Sequence, residues 1–365
     1  MSIRDIAEPV SLNDGTAMPG YGFGCYAAHG EEIINAIRWA VRDGYRYIDS
    51  AAMYGNEAEV GEAIRTCGVQ REDLFISSKI WPTRFDDPDA SLAQSLRDLG
   101  IDVLDCCLLH WPGTDRKQRL SAYEKLLRRR EEGFVRRVGV SNFQIKHLEE
   151  IRSAFGRFPV LNQIELHPLY QERDLCAYCR ENGIRLVAWG PLFRGKLMQH
   201  PAIVEIAAAH GKTPGQIILR WHIQKGHIAI PKSSNESRIH ENGDVFSFIL
   251  TPGDMDRIIS VGISAGGAMS TLLGCTGNSE NYTEALEKMG AVMTETDDIF
   301  AAQCYCPIID LDHADLAYEW MFRGKTHYTG MPFVGFSAGD LTPFASALSE
   351  QLADAYVDYF NGLKL

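Results

Sequence analysis

The sequence predicts a (β/α)8 barrel with a truncated last helix, followed by a partial α/β segment of a different kind. Three observations carry this. Between residue 20 and about residue 230, eight short apolar runs alternate with stretches whose apolar residues recur at three- and four-residue spacing. Three of the early runs end on polar residues, as barrel strands do where they open onto a functional rim. Near residue 258 the pattern changes without a Pro- or Ser-rich linker, which divides the chain into residues 1–257 and 258–365.

The expected strands are residues 21–25, 47–49, 74–79, 103–110, 135–140, 160–165, 185–189 and 227–230, preceded by a short N-terminal segment. Ile33, Ile34, Ile37 and Val41 form one helical face between them, and Leu92, Leu96 and Leu99 another. Arg42-Asp-Gly44, Cys67-Gly68 and Asn182-Gly183 are helix stops. A doubly wound sheet competes with the barrel, but it favours Gly-x-Gly-x-x-Gly after the first strand, and Gly22-Phe-Gly24 continues as Cys-Tyr-Ala. Beyond the barrel, residues 257–261 read as a strand, leading into Gly262-Ile-Ser-Ala-Gly-Gly267 and then a helix. This is a strand, tight turn and helix with Ser264 at the tip.

Composition narrows the function classes. Of 365 residues, 45% are hydrophobic and 23% charged, which suits a soluble chain with a substantial core. A formal net charge of −12 argues against nucleic-acid or anionic-membrane partners, so an anionic ligand needs a local basic cluster. No apolar run reaches the roughly eighteen residues of a membrane span, and the N-terminus lacks an apolar signal core. Nine scattered cysteines fit a reducing cytoplasm. Cys176-x-x-Cys179 has no second pair nearby, so no metal is expected. Cys106 and Cys107 read as strand residues with one thiol buried.

Asp49, Tyr54, Lys79 and His110 stand at or just past the ends of successive strands, and a barrel would gather them at one rim. Their types suit reduction of a carbonyl, which needs a hydride on carbon and a proton on oxygen. A tyrosine with pKa near 10 is a weak acid at neutral pH unless its anion is stabilised. Lys79 is expected to lower the Tyr54 pKa, Asp49 to hold Lys79, and His110 to orient the carbonyl. Singly, each residue has a plainer reading as a salt bridge, a solvated strand end or a loop cap; together they point to a site.

The chain resembles the aldo-keto reductase family over about residues 10–257. Gly44-Tyr-Arg-Tyr-Ile-Asp-Ser-Ala-Ala-Met-Tyr-Gly-Asn-Glu57, Ser78-Lys79-Ile-Trp81, Leu108-Leu-His-Trp-Pro112 and Gly139-Val-Ser-Asn-Phe143 carry the resemblance. So do Asn162-Gln-Ile-Glu-Leu-His-Pro168, Ala188-Trp-Gly-Pro-Leu192 and Ile230-Pro-Lys-Ser-Ser-Asn-Glu-Ser-Arg-Ile-His-Glu-Asn242. The resemblance implies NADPH-dependent reduction of small aldehydes, ketones, dicarbonyls or keto sugars, with the four residues in the roles just given. It implies that Ser141, Asn142 and Gln163 bind the nicotinamide amide and that Trp189 stacks on its ring, with Gly190 and Leu192 beside it. Trp189 with Gly190 is similar to the bacterial 2,5-diketogluconate-reductase branch. Lys232, Ser233 and Arg238 are implied to hold the 2′-phosphate, with Glu241 and Asn242 near the adenine. A lysine and an arginine close together suit a phosphate in an acidic chain. Tyr26, Trp81 and Trp111 would line an aromatic substrate pocket.

The family's ending, a final helix and a loop over the substrate pocket, is replaced after Arg257. Residues 259–365 instead resemble part of a tannase or feruloyl-esterase-like α/β-hydrolase. Gly262-Ile-Ser-Ala-Gly-Gly267, Gly274-Cys-Thr-Gly-Asn-Ser279 and the stretch from Tyr305 to Trp320 carry that resemblance. It implies Ser264 as a vestigial nucleophile, because the strands and oxyanion loop that should precede the elbow are missing. The expected history is a fusion, with oligomer formation possible through the added segment. Two other functions stay open on the sequence: a serine esterase through Ser264, and a catalytically silent NADPH-binding or interaction protein.

Overall fold

The computed structural model describes residues 3–261. Ser264, the hydrolase-like motifs and the rest of the expected second segment lie outside the described residues.

The chain starts with a hairpin, β1 (Pro9–Ser11) against β2 (Ala17–Pro19). Strand–helix units follow: β3 (Gly22–Gly24) and α1 (Gly30–Arg42), β4 (Tyr47–Asp49) and α2 (Glu57–Thr66), β5 (Phe75–Ile80) and α3 (Pro88–Leu99), β6 (Cys106–Leu109) and α4 (Arg116–Glu131). Then come β7 (Val138–Ser141) and α5 (Ile145–Phe155), and β8 (Leu161–Glu165) and α6 (Arg173–Glu181). β9 (Arg185–Trp189) leads to α7 (Pro201–His210) and α8 (Pro214–Gln224), and β10 (Ile228–Ala229) to α9 (Glu236–Gly243) and α10 (Pro252–Val261). All eight expected strands are present, in an eight-stranded sheet running in sequence order from β3 to β10 with every pairing parallel.

The sheet closes where β10 returns to β3, through a hydrogen bond from the Gly24 N–H to the Pro231 carbonyl at 3.1 Å. The approach there is tight. A Cβ on Gly24 would stand 2.9 Å from the Ile230 carbonyl oxygen, and one on Gly22 would stand 2.4 Å from the Tyr47 ring. Only glycine permits such contact.

Two apolar layers hold the barrel. Ile33, Ile37, Val41, Leu92, Leu99 and their neighbours pack helices onto the outer strand faces. Inside, Leu12 and Met18 of the hairpin close the N-terminal mouth against Tyr47, Phe75, Cys106, Leu108 and Leu161. This corrects the reading of Cys106 and Cys107: both thiols are buried, one facing the barrel interior and one the helices. A strand covered on both faces leaves no solvated side.

Residues 257–261 are also corrected. They belong to α10, not to a strand, and the helix runs unbroken past residue 257. Their β-branched side chains suggested a strand, but the helix start outweighs them. Thr251 Oγ1 accepts from the Asp254 N–H at 3.1 Å, Asp254 accepts from the Thr251 N–H at 3.0 Å, and Pro252 occupies the first turn. Ile258 is fully buried.

Candidate active site

Along each strand, alternate residues face the barrel interior, so the interior contents can be read two residues at a time. β4 gives Tyr47 then Asp49, and β5 gives Ser77 then Lys79. β6 gives Leu108 then, one residue past its end, His110. A one-turn 3-10 segment, Ala52–Tyr54, follows β4 and brings Tyr54 back over the rim. The four sequence-predicted residues are brought together in this way.

Lys79 is at the centre, 1% exposed. Its Nζ donates to Asp49 Oδ2 at 2.7 Å, to the Ser50 carbonyl at 2.7 Å and to Tyr54 Oη at 3.3 Å. Burial pulls the ammonium down, but Asp49 and Tyr54 outweigh it and its pKa is raised. The other Asp49 oxygen, Oδ1, accepts from Ser77 Oγ at 2.6 Å, Gln163 Nε2 at 2.8 Å and Tyr47 Oη at 3.3 Å. A carboxylate so placed has its lone pairs satisfied and its orientation fixed. Lys79 lowers the Tyr54 pKa, as expected, but it is not the largest influence there. Burial raises its pKa more than Lys79 lowers it, so the phenol in this site keeps its proton at neutral pH.

His110 is 6% exposed, and burial together with Lys79 lowers its pKa to about 3. The ring is therefore neutral. Its Nδ1 is sealed from solvent with no hydrogen-bond partner among the described residues. The tautomer with the proton on Nε2 leaves only a lone pair unpaired there, and makes Nε2 the donor. Aromatic rings frame this group: Trp81 meets His110 edge-on at 4.9 Å, and Tyr26 meets Tyr54 at 5.1 Å. Tyr26 and Trp111 are 52% and 42% exposed, so they stand at the rim.

A polar cluster adjoins the four. Ser141 Oγ donates to the Gln163 carbonyl at 2.8 Å, and Asn142 Nδ2 donates to the His110 carbonyl at 3.0 Å. Trp189 Nε1 donates to Asn142 Oδ1 at 2.9 Å. Asn142 holds a left-handed backbone with φ +62°, a strained position of the kind that collects at functional sites. Gly190 follows Trp189 at φ +61°, and Leu192 is half-buried against the outer core. At the far end of the rim, Arg238 Nε donates to Ser233 Oγ at 3.4 Å, next to Lys232. Glu241 Oε1 accepts from Thr213 Oγ1 at 2.7 Å, and the buried Asn242 receives the Tyr21 hydroxyl on its carbonyl at 2.8 Å.

Sequence reasoning missed the groups that hold these in place. Tyr47 and Ser77 both precede a site residue by two, which is the strand period, and that signal was available. Thr213-Pro-Gly-Gln216 has the capping-box spacing, and both Thr213 and Gln216 reach Glu241. The hydrogen bond from Trp189 to Asn142 had no sequence signal.

The comparisons agree with this fold. The model of the aldo/keto reductase family matches residues 15–263. The glyoxal reductase of Bacillus subtilis (strain 168) is 42% identical over 257 residues, covering 69% of this chain and 92% of that protein. The crystal structure of an aldo/keto reductase from Brucella melitensis is similar with a TM-score of 0.68 and 39% identity, covering 71% of this chain and all of the other. A Gox0644 variant solved in complex with NADPH gives a TM-score of 0.68 at 37% identity, covering 71% of this chain and 95% of that one. With the barrel, the rim cluster and the family match in agreement, the chain belongs to the aldo/keto reductase family and is an oxidoreductase of carbonyl compounds.

Proposed function

We propose that this chain is an NADPH-dependent reductase of small aldehydes, ketones, dicarbonyls or keto sugars, with Tyr54 as the proton donor. One observation carries the reading: a buried Lys79 ammonium stands 2.7 Å from Asp49 and 3.3 Å from the Tyr54 oxygen.

The residues fit a phosphorylated nicotinamide dinucleotide. Ser141, Asn142 and Gln163 supply hydroxyl and amide groups beside Asp49 and His110, as a carboxamide requires. Trp189 is half-buried and offers an indole face, and Lys232, Ser233 and Arg238 supply the charge-assisted donors that a phosphate needs. The bound dihydronicotinamide supplies the hydride. The chain supplies the rest.

Because Lys79 donates to Tyr54 Oη, the phenol's own proton is directed away from Lys79, toward the rim. Transfer of that proton to a carbonyl oxygen leaves a phenolate 3.3 Å from a fixed ammonium. Each pKa unit of that stabilisation is worth about 1.4 kcal/mol, and it is felt when charge develops. Asp49 keeps Lys79 charged in spite of burial. Neutral His110 donates from Nε2 to the same carbonyl oxygen and sets its angle to the hydride. The aromatic rim excludes water and favours compact substrates. The glyoxal reductase relative supports dicarbonyls within that class.

The test is NADPH oxidation across a panel of dicarbonyls and keto sugars, with Tyr54→Phe beside the native chain. The variant is expected to bind NADPH normally and lose reduction by about 10²–10⁴-fold. Unchanged turnover in Tyr54→Phe would sink the assignment.

A further inference from the structure

Lys232, assigned above to a phosphate, already has a carboxylate beside it. Its Nζ lies 3.4 Å from Glu32 Oε1 and 3.4 Å from the carbonyl oxygen of Ala27. Glu32 stands in the first turn of α1, and Ala27, in the loop leading to it, is held at φ +55°. Ser234 and Lys232 together, against partial desolvation, hold the Glu32 carboxyl below the usual carboxylate range. The loop after β3 and the segment after β10 therefore meet across a negative charge, at the place where the proposed ligand is most negative.

We infer that Glu32 is a cofactor-selectivity residue, whose carboxylate competes with a 2′-phosphate for Lys232 and holds down affinity for the phosphorylated dinucleotide. This rests on the assignment of Lys232 and Arg238 to the 2′-phosphate. Two opposite effects of Glu32 must be weighed. As a tether it could pre-position Lys232, which would help binding. As a charge it repels a group carrying nearly two negative charges, which opposes binding. The tether is weak: both Lys232 contacts are long, and the Glu32 side chain is 50% exposed. Exposed pairs of this kind order a flexible lysine poorly. The repulsion acts through space, needs no exact geometry and is doubled by the phosphate charge. Repulsion wins. An unphosphorylated dinucleotide has a hydroxyl in that place and does not feel it.

The experiment is equilibrium binding of NADP+ and NAD+ to the native chain, Glu32→Gln and Lys232→Ala, followed by tryptophan fluorescence quenching without turnover. Glutamine keeps the length and removes the charge. Glu32→Gln is expected to tighten NADP+ by about three- to tenfold at low salt and to leave NAD+ within about twofold. The gain should shrink as ionic strength rises, because the groups are partly exposed. Lys232→Ala should weaken NADP+ and spare NAD+. If Lys232→Ala does not discriminate, the phosphate site itself is wrong. If it does, and Glu32→Gln leaves NADP+ unchanged or weakens it, the phosphate site stands and Glu32 is only a tether, which overturns the inference.

Discussion

The two ends of the barrel interior are built from the same strands and differ in almost every property. Toward the N-terminal mouth, Tyr47, Phe75, Cys106, Leu108 and Leu161 pack with Leu12 and Met18 into an apolar plug. Two residues further along the same strands stand Asp49, Ser77, His110 and Gln163, and then Lys79. Both ends are buried, so burial alone does not separate them. One end gains stability from burial. The other accepts its cost, because a buried ammonium and carboxylate must be paired to be tolerated at all. Apolar packing is therefore concentrated at one end and the proposed chemistry at the other, about one strand period apart.

The sharpest way to break this division is Lys79→Met. It should lower turnover by about 10²–10⁴-fold and leave Asp49 as an uncompensated buried charge, costing about 3–5 kcal/mol of stability. Adding Asn at position 49 (Asp49→Asn with Lys79→Met) should restore most of the stability and none of the turnover, as read by denaturant unfolding and NADPH oxidation. If the double variant does not regain stability, the cost of Lys79→Met is not that of an unpaired Asp49 charge; if it regains turnover, the pair has no part in the chemistry.

At the plug, Leu108→Ala is the counterpart. Leu108 fills the space left by Gly139, whose Cβ would stand 2.6 Å from a Leu108 methyl. The cavity should cost about 2–5 kcal/mol in denaturant unfolding. The folded fraction should keep kcat within about twofold, and a large kcat loss would show that the two ends are coupled.

A pH experiment sharpens the same contrast. The folded pKa of His110 is lowered to about 3 by burial and Lys79, and that of His227 to about 3 by burial, Lys225 and Arg180. Unfolded histidines titrate near 6.5 and take up protons that the folded chain refuses, so these groups favour unfolding as pH falls below 6.5. Their contribution is intact above that pH and is lost progressively toward their folded values. His110→Gln should flatten the loss by about 1.4 kcal/mol per pH unit between about pH 6 and 4. An unchanged slope would mean that His110 is not kept neutral by the fold.

Much of this was legible from residues alone, for an identifiable reason. Asp49, Lys79 and His110 each end an apolar run; one such residue has plainer uses, but three on successive strands point to a rim. The eight strands and the Ile33–Val41 and Leu92–Leu99 helix faces showed in their periods. What escaped was whatever depends on register or closure. Gln163 reaches Asp49 from β8, four places away in the sheet, and only a closed barrel brings them to 2.8 Å. The residues of α10 read as a strand because Ile258, Ile259 and Val261 are β-branched, while the deciding Thr251–Asp254 cap lies upstream of that run. The balance at Tyr54 also escaped, since the sequence shows the lysine but not the depth of burial.

The smallest expected effect tests the boundary between the two ends. Ser77 is interior on β5, two residues before Lys79, and its hydroxyl gives Asp49 its shortest hydrogen bond, 2.6 Å. Ser77→Ala removes no charge and little volume. Asp49 Oδ1 keeps Gln163 and, at longer range, Tyr47. The stability cost should therefore be about 1.5–3 kcal/mol, the loss of one hydrogen bond to a charged group. If Ser77 serves only the packing beneath the site, kcat should stay at the native value across pH. If it fixes the carboxylate that holds Lys79, kcat should fall several-fold with KM unchanged, and Ser77→Thr, which keeps the hydroxyl, should recover it. The second result is expected, because Lys79 has one carboxylate, and the orientation of that carboxylate is set from below by Ser77, at the level where the plug ends.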